Sequence, residues 1–514
     1  MSATTACRSR TTCQAQQGVK MARYIGIRHR TKKTKDGEAR PTIISILKDG
    51  EKPIVYELES EDDELAFAHG RFVTKWRTLE TDEAIEALPL WQVRTVGKGD
   101  KQKTQVALSW DGLAKGDVVT MILGGSGDNF AFALSRKAED VGAIVQRCTS
   151  KTLLEARADR SKDDDALTLA ELGLDRPELT YKCEVRDRRY ITVRELWFLL
   201  RDAMKYRIAC EVQLWQKLNG ERFRQLDGLY PEGTIEDAFN ARKASDKIFQ
   251  GLLAQEKEIE KELIEALEQT TVWPLFRREE YKGCGPRTVA RFIASIVDIR
   301  RFAVKPDEAE MHSIKVQSAE IEREFGNDLA RISLADCPFT SKGQQKYWKL
   351  QKVRSQKVNE GKTFEAARLD ALILLHKRRH ILRQKAAQQS ESRLVAFCGA
   401  HVTKDGEFPR RRAGQTSNWS PSARQALYLL AEQWVKRPDS HWGKKLKENK
   451  ARLRAIHPEV VLNEKGKKRY TDGHIHKMAC WRTATQFVRK LAADWIKLEG
   501  SSTPVATTED RMAA

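Results

Sequence analysis

Apolar and polar residues alternate over short runs in the first third of the chain and follow a helical period in the rest. Runs rich in β-branched and aliphatic residues are predicted to be strands, at 22–28, 40–47, 52–58, 117–123 and 142–147. The turn KDGEK (48–52) predicts that the second and third runs form a hairpin. Helical periodicity predicts helices at 62–77, 130–140 and 163–172. Residues 21–178 are therefore expected to form an α/β domain, with 79–112 as an extra segment.

The pattern becomes helical from residue 190 to 275, where an apolar stripe stands out. It consists of Ile248, Leu252, Ile259, Leu263 and Leu267, set among glutamates and lysines. Such a stripe is typical of a long antiparallel or coiled-coil arm, assigned here to residues 179–277. We expect a homo-oligomer formed through this arm. A helix packed along its own domain is the alternative, and it needs no second chain.

The segment YKGCGPRTVARFIASIVDIRRF (281–302) fits a helix-hairpin-helix motif, placed at 278–302. Gly283 and Gly285 allow a tight turn, and the backbone amides of the following helix can hold a DNA phosphate. Arg287 and Arg291 would add positive charge to that contact. Glycines before a helix are also common as helix caps, so the turn alone does not identify a DNA site.

Two more segments are expected to be helical, an insertion at 303–390 and a basic region at 391–500. In the basic region, helices are predicted at 420–437, 440–455 and 474–498. Residues 1–20 lack the apolar core of a secretory signal. They are expected to be an unstructured extension, with a transit peptide as the alternative, and 501–514 a disordered tail.

Charge is concentrated in the second half of the chain. The whole protein has 92 Lys and Arg against 72 Asp and Glu, a net charge of +20. Residues 1–300 contain 50 basic and 48 acidic side chains, whereas residues 341–500 contain 36 and 14. Four tryptophans lie among those basic residues: Trp348, Trp419, Trp434 and Trp442. A strong positive field with interleaved aromatics favours a nucleic-acid partner over a merely solvated face.

Three basic clusters in this region are candidate phosphate contacts. They are Arg410, Arg411 and Arg412; Lys444, Lys445, Lys447 and Lys450; and Lys465, Lys467, Lys468 and Arg469. Because phosphate contacts need no metal ion, such clusters can bind nucleic acid whether or not the protein cuts it.

The remaining composition is that of a soluble protein with reduced cysteines. No run of about 18 apolar residues exists, so no membrane span is predicted. The 9 cysteines include no CxxC pair, which is typical of reduced, mostly buried thiols. His474, His476 and Cys480 lack a fourth ligand, so no metal site is assigned to them. We expect a cytoplasmic bacterial protein associated with the nucleoid.

Four segments, in order along the chain, resemble one known family. They are VVTMILGGSGDNFAFALSRKAEDVGAIVQRC (118–148), KDDDALTLAEL (162–172), GCGPRTVARFIASIVDIRRF (283–302), and RLVAFCGAH (393–401) with SPSARQALYLLA (420–431). The family is that of the DEDD-type insertion-sequence transposases, which act as bridge-RNA-guided recombinases. The resemblance implies an α/β RuvC-like (RNase H-like) N-terminal domain, then a mostly α-helical arm and a helix-hairpin-helix transposase domain. It also implies DNA and a structured guide RNA as partners.

The resemblance further implies a magnesium site, and at this site the sequence departs from the family. Four carboxylates of the family gather two metal ions. Three of their positions carry Arg28, Gly124 and Lys162 here, and only Asp165 remains, preceded by Asp163 and Asp164. Cations at two of these positions would oppose Mg²⁺. We therefore expect no cofactor, unless the three aspartates form a divergent Mg²⁺ site.

The serine nucleophile that the resemblance implies is also replaced. The corresponding turn reads KDGEFPRRRAG (404–414), with Asp405 before Gly406. Aspartate cannot form the family's phosphoserine linkage. Ser417 is the displaced candidate, because Ser420 and Ser422 fit the N-cap and first turn of a helix.

Three hypotheses of function follow. The first is a catalytically inactive relative of the transposases that binds DNA, and a guide RNA, without strand transfer. The second is an active site-specific recombinase in which Asp163, Asp164, Asp165 and a displaced serine form a divergent site. The third is an RNA-binding scaffold that acts through its arm.

The GGSG turn (124–127) lies between a strand and a helix and could cradle a phosphate, although it lacks the Lys-Ser/Thr of a P-loop.

Overall fold

The computed structural model describes residues 22–30, 40–48, 50–79, 88–97, 102–226, 228, 232–402, 408–409, 419–462, 466 and 468–501. The chain divides into two units, Met1–Leu196 and Trp197–Ala514. The first is a mixed α/β unit and the second is mostly helical, which confirms the general layout predicted from the sequence.

Five strands of the first unit fall where alternation predicted them, and four more lie where no strand was predicted. They are β1 (Tyr24–Arg28), β2 (Thr42–Leu47), β3 (Ile54–Leu58), β4 (Phe72–Thr78), β5 (Val93–Val96), β6 (Lys103–Asp111), β7 (Val118–Ile122), β8 (Ile144–Cys148) and β9 (Tyr181–Lys182). The main sheet has the order β3-β2-β1-β7-β8-β9. Strands β1, β2 and β3 pair antiparallel, β1, β7 and β8 pair parallel, and β9 pairs antiparallel with β8. The predicted hairpin is confirmed as β2–β3.

The helices of the first unit cover this sheet. They are α1 (Glu61–Ala68), α2 (Asp128–Val141), α3 (Ser150–Arg157) and α4 (Asp165–Asp175), with 3-10 turns at Leu90–Gln92, Lys162–Asp164 and Pro177–Leu179. Helix α4 lies directly on β1 at Gly26, where an added Cβ would meet the carbonyl oxygen of Ala166 at 1.9 Å. Only glycine permits that close approach.

The expected helix at 62–77 is wrong in its second half. Helix α1 ends before Gly70, which has φ of +69°. The chain then continues as β4 in a separate sheet of order β4-β6-β5. Left-handed backbone at glycine ends a helix, and the β-branched Val73 and Thr74 that follow favour a strand. The extra segment is therefore built around a small antiparallel sheet.

The core of the first unit lies between the main sheet and its helices. Ile25, Ile27 and Ile44 from the strands and Leu134 from α2 are fully buried in it. Ile191 belongs to the same core. The first unit therefore continues past residue 178 to Leu196.

The second unit begins within a long helix and is built almost entirely of helices. They are α5 (Val185–Phe223), α6 (Ile235–Ser245), α7 (Lys247–Glu268), α8 (Trp273–Phe276), α9 (Pro286–Ile296), α10 (Glu308–Glu324), α11 (Gly326–Arg331), α12 (Lys342–Asn359), α13 (Thr363–Phe397), α14 (Pro421–Lys436), α15 (His441–Ile456) and α16 (Asp472–Ser501). Short strands β10 (Val461–Leu462) and β11 (Lys468–Arg469) and 3-10 turns at Glu279–Tyr281 and Ile299–Phe302 complete it. The insertion has a core of its own, in which Leu350 of α12 packs with Leu369 and Leu372 of α13.

The apolar stripe of the predicted arm lies on α7. Leu263 and Leu267 are fully buried, whereas Ile248 at the other end is exposed. Helix α7 contacts α6, α8 and α9 of its own chain. That packing agrees with a helix covered within its own domain, and the oligomer stays a prediction.

Neither a membrane-spanning helix nor a disulfide bond occurs among the described residues. No helix among them combines the length and the apolar run that crossing a membrane would require. Their cysteines are all unbridged, with Cys148, Cys183 and Cys398 buried and the others half-buried.

Candidate functional site

The carboxyl ends of β1, β7 and β8 lie at the same edge of the main sheet, because the three strands run parallel. The chain leaves β1 towards β2 on one side and leaves β7 towards β8 on the other. The gap between β1 and β7 is therefore a switch point of the topology, which is where α/β sheets usually bind ligands. Arg28 ends β1 and the GGSG turn follows β7, so this edge is the candidate site of the first unit.

Arg28 is bound to one of the aspartates of the predicted acidic cluster. Its Nη1 lies 2.9 Å from Oδ1 of Asp163, and Nη1 of Arg40 lies 3.1 Å from the same oxygen. Arg28 also donates to the backbone carbonyl of Lys162 at 3.4 Å. Two guanidinium groups thus share one carboxylate, and the net charge around Asp163 is positive.

Asp165 is the one carboxylate that matches the pattern implied by the resemblance. It forms a bidentate ion pair with Arg157. Nε donates to Oδ1 at 2.6 Å and Nη2 donates to Oδ2 at 2.9 Å. Both side chains are mostly buried. Burial raises the pKa of the neighbouring Cys148 thiol to about 12, and the charge of Asp165 adds to that rise. The thiol is therefore neutral and gives no ligand to a cation.

The other acidic residues near this edge do not complete a metal site. Gly124 has no side chain, and its φ of +72° belongs to the turn. Asp128, four residues on, is buried and paired with Arg194 and with Arg147 at 3.3 Å. Asp164 is exposed and forms the boundary between a 3-10 turn and α4.

These residues do not fit a pair of Mg²⁺ ions. Metal ions need carboxylates with free lone pairs, whereas Asp163, Asp165 and Asp128 each accept hydrogen bonds from arginine. In the part of the chain that the structure describes, no group of three or more His, Cys, Asp or Glu side chains could hold a metal.

The glycine turn predicted at 278–302 precedes α9. Gly283 has φ of +107°, which a side chain would strain, and Gly285 is the N-cap before Pro286. The element before the turn is the short α8 followed by a 3-10 turn. Tyr281 anchors that turn, because it is fully buried and its hydroxyl donates to Oδ2 of Asp494 at 2.8 Å.

The two arginines assigned to this motif are engaged within the protein. Arg287 is bound to Glu260 of α7 at 2.7 Å and to Glu256 at 3.0 Å. Hydrogen bonds from Arg287 to Glu260 are the main cause of a raised pKa of the Arg287 guanidinium. Arg291 lies over the ring of Trp197 at 5.4 Å and donates to Gln425. Arg287 therefore links α9 to α7, and its positive charge is already compensated by the two glutamates.

Helix α15 is amphipathic and carries the basic cluster at 444–450. Trp442, Leu446 and Leu453 are buried, and the amide of Asn449 donates to Thr483 of α16 at 3.0 Å. The four lysines of the cluster are all exposed. This spacing places the apolar stripe inwards and the lysines outwards.

The four lysines differ in their partners. Lys445 pairs with Glu448 at 2.7 Å, and Lys447 lies 3.6 Å from Asp439. Among the described residues, Lys444 and Lys450 make neither an ion pair nor a side-chain hydrogen bond. Of the four lysines, these two are the more available to an anion.

Other predicted contacts have different positions. Lys468 and Arg469 form the exposed strand β11, which pairs with β10. Tyr470, next in the chain, stacks on His457 with ring centroids 3.8 Å apart. Asp405, Ser417 and the basic residues Arg410, Arg411, Arg412, Lys465 and Lys467 lie outside the described residues.

Three of the four tryptophans that interleave with basic residues in the sequence are buried and cannot stack on bases. Trp434 and Trp442 are buried, and each lies against Phe487, with ring centroids 5.5 and 5.4 Å apart. Trp419 is buried, and Trp348 is half-buried beneath Lys352. Their interleaving with basic residues in the sequence is therefore no sign of base contacts by the buried rings. Large rings on the inner faces of amphipathic helices are excluded from water, so they form the core.

Many cations of the helical insertion are likewise paired within the chain. Lys346 binds Glu322 at 2.6 Å and Arg354 binds Asp370 at 2.5 Å. Lys357 lies 2.8 Å from Glu365. Three cations of α12 are therefore paired with carboxylates of the same chain.

Sequence reasoning missed His29, which lies beside Arg28 at the switch point. Its ring lies between Ser126 of the GGSG turn and Glu64 of α1. A histidine directly after a strand that ends at the switch point was the available signal. For the chain as a whole, no model of a protein family and no curated protein matches the sequence.

Proposed function

We propose that the protein binds nucleic acid through the second unit and has lost metal-dependent strand cleavage. The observation that carries the proposal is α15, whose outer face presents exposed lysines over a firmly packed inner face. Lys444 and Lys450 lack carboxylate partners among the described residues, so they can meet phosphates without first breaking an ion pair.

We further propose that the first unit is a RuvC-like domain. The strand order β3-β2-β1-β7-β8 supports it, with the first three strands antiparallel and the last two parallel to β1. The resemblance to the insertion-sequence transposases implies a domain of the same class. On this proposal, DNA and a structured RNA are the partners to test first.

Loss of cleavage is supported by the ion pairs of the switch-point edge. To bind Mg²⁺, Asp165 would have to leave Arg157, and Asp163 would have to leave both Arg28 and Arg40. Uncovering a largely buried guanidinium costs about 3 kcal/mol or more. This cost disfavours the active recombinase with Asp163, Asp164 and Asp165 as ligands.

The binding proposal is tested by salt titration of a labelled DNA duplex and a labelled structured RNA, read by fluorescence anisotropy. We expect the double variant Lys444→Ala/Lys450→Ala to bind either polymer more weakly and to lower the salt slope by about 2, because each lysine neutralises one phosphate. The matched control is Lys151→Ala/Lys261→Ala, which removes two exposed lysines whose charge is compensated by Glu155 and Glu265.

Two results would count against the proposal. If the wild-type chain binds neither polymer at low salt, nucleic-acid binding is wrong. If the chain binds but the α15 variant keeps the wild-type slope, another surface holds the phosphates. Binding of RNA alone would favour the scaffold hypothesis.

A further inference from the structure

A serine, a histidine and a glutamate form a continuous hydrogen-bonded series at the β1–β7 edge. Oγ of Ser126 lies 2.8 Å from Nδ1 of His29, and Nε2 of His29 lies 3.2 Å from Oε1 of Glu64. Ser126 is exposed, whereas the His29 and Glu64 side chains are only 13% and 8% exposed. A surface nucleophile is thus backed by a base and by an orienting carboxylate.

The partners of Glu64 determine where the protons lie. Burial alone would raise the pKa of Glu64, but hydrogen bonds from His29 and Thr42 and the charge of Arg30 outweigh it and lower the pKa overall. Glu64 is therefore ionised at neutral pH and can only accept. The N–H of a neutral His29 ring must then be at Nε2, which leaves Nδ1 as an acceptor.

The Ser126 hydroxyl has two acceptors within reach. Nδ1 of His29 is 2.8 Å away, and the carbonyl oxygen of Arg30 is 3.3 Å away. The shorter contact is the better hydrogen bond, so the hydroxyl proton points at the base that would remove it. This arrangement activates a serine.

The turn also supplies donors for a developing oxyanion. Gly127 is the N-cap of α2, and the first helical hydrogen bond runs from Ala131 to its carbonyl. The backbone N–H groups of the first turn of α2, at residues 128–130, come before that bond, and a helix leaves such groups without partners inside the helix. They begin two residues after Ser126 in the chain, and N–H groups of this kind are the donors that oxyanion sites use.

We propose that Ser126, His29 and Glu64 form a serine-nucleophile site for acyl transfer from an activated carboxylic ester. Ser126 Oγ attacks the carbonyl carbon as its proton passes to Nδ1 of His29, and the alkoxide that is expelled takes that proton and leaves as the alcohol. Water then attacks the acyl-serine by the same route, which releases the carboxylic acid and restores the serine. Glu64 is a positioning residue that stabilises the imidazolium.

An ester suits this edge better than a phosphodiester. Phosphoryl transfer depends on cations that neutralise the equatorial oxygens, whereas acyl transfer depends on hydrogen-bond donors. The guanidiniums nearby are already paired, Arg28 with Asp163 and Arg30 with Glu61 and Glu64. The activity is independent of nucleic-acid binding by the second unit.

The test is covalent capture of the full-length protein by a fluorophosphonate probe, with the modified residue identified by peptide mass mapping. We expect the label on Ser126, its loss in Ser126→Ala, and capture at least about 100-fold slower in His29→Gln. The matched control Ser150→Ala removes an exposed serine at the start of α3 and leaves capture unchanged. Release of p-nitrophenol from p-nitrophenyl acetate follows the same order.

The variant Glu64→Gln distinguishes a positioning role of Glu64 from a purely structural one. A positioning role lowers the maximal capture rate and leaves the half-saturating probe concentration unchanged. The proposal is overturned if Ser126 is labelled no faster than other exposed serines, or if His29→Gln, with wild-type circular dichroism, is captured at the wild-type rate.

Discussion

Arginine side chains hold the carboxylates of the β1–β7 edge in fixed positions. Asp163 is shared by Arg28 and Arg40, and Asp165 is held by Arg157 through two hydrogen bonds. A carboxylate that is bound in this way stabilises the fold instead of binding a cation. At the scale of single residues, the chemistry of this edge is set by arginines. These lie far apart in the sequence, which does not show that they pair with these aspartates.

Removing Arg157 tests the structural role of the pair. We expect Arg157→Ala to lower the free energy of unfolding by about 3 kcal/mol, because Asp165 would be left as a mostly buried charge without its partner. Urea unfolding followed by circular dichroism measures the change. The control Lys151→Ala breaks the exposed pair with Glu155 and should cost less than about 1 kcal/mol. Equal destabilisation of the two variants would contradict the structural role.

Glu64 makes the stability of the first unit depend on pH. The pKa of Glu64 is lowered in the folded protein, although burial acts in the opposite direction. Its contribution to stability is therefore present above the unfolded pKa of about 4.3 and is lost as the pH falls through the folded value. We therefore expect wild type to exceed Glu64→Gln in unfolding free energy at pH 7, and the difference to shrink below about pH 4. A difference that is constant from about pH 7 to about pH 3 would show that Glu64 does not titrate in this way.

Secondary-structure elements approach one another closely only where the sequence provides small residues. Helix α4 lies on β1 because Gly26 presents no side chain to the backbone of Ala166. Helix α9, by contrast, is joined to α7 by charge, through Arg287 with Glu256 and Glu260. At the scale of elements, glycine contacts and interhelical ion pairs determine which faces remain open to a partner.

Substituting Gly26 tests the contact between α4 and β1. We expect Gly26→Ala to destabilise the protein by about 3 kcal/mol, because the new methyl group would meet backbone, which cannot rotate away. Gly251→Ala is the matched control, since no atom lies within 4 Å of its added Cβ and it sits inside α7. That control should gain up to about 1 kcal/mol of helix propensity. Thermal unfolding of both variants decides, and a harmless Gly26→Ala would refute the close approach.

The two units differ in what their charges do. In the first unit, the carboxylates of the switch-point edge are held in ion pairs with guanidinium groups. In the second, the excess of positive charge reaches the surface at α15, while much of α12 is internally paired. At the scale of the whole molecule, this division supports the proposal that the protein binds nucleic acid without cleaving it.

Incubation with supercoiled plasmid and Mg²⁺ tests that division directly. We expect no nicked circles and no covalent protein–DNA adduct from the wild-type chain, because the aspartates of the edge are held by arginines. The binding titration on the same preparation is the control for a folded, DNA-competent protein. Nicking that requires Mg²⁺ and disappears in Asp165→Asn would instead establish the active recombinase.

The sequence by itself determined many of the elements of this protein. Close agreement with the predicted ranges is found for strands β1, β2, β3, β7 and β8 and for helices α2, α4, α14, α15 and α16, because hydrophobic period and turn residues act over neighbouring positions. The N-cap at Ser420 was foreseen on the same ground, and its hydroxyl accepts from the backbone N–H of Ala423 at 3.2 Å. The concentration of charge in the second half was likewise a matter of counting.

Only the tertiary structure decided which side chains meet. His29, Glu64 and Ser126 lie far apart in the chain and come together because β1, α1 and the turn after β7 meet at one edge. Folding also buried Trp434 and Trp442, which the sequence places among basic residues, and paired Arg287, which had been assigned to nucleic acid. Local sequence specifies what a segment is, whereas burial and pairing depend on long-range packing that removes side chains from water.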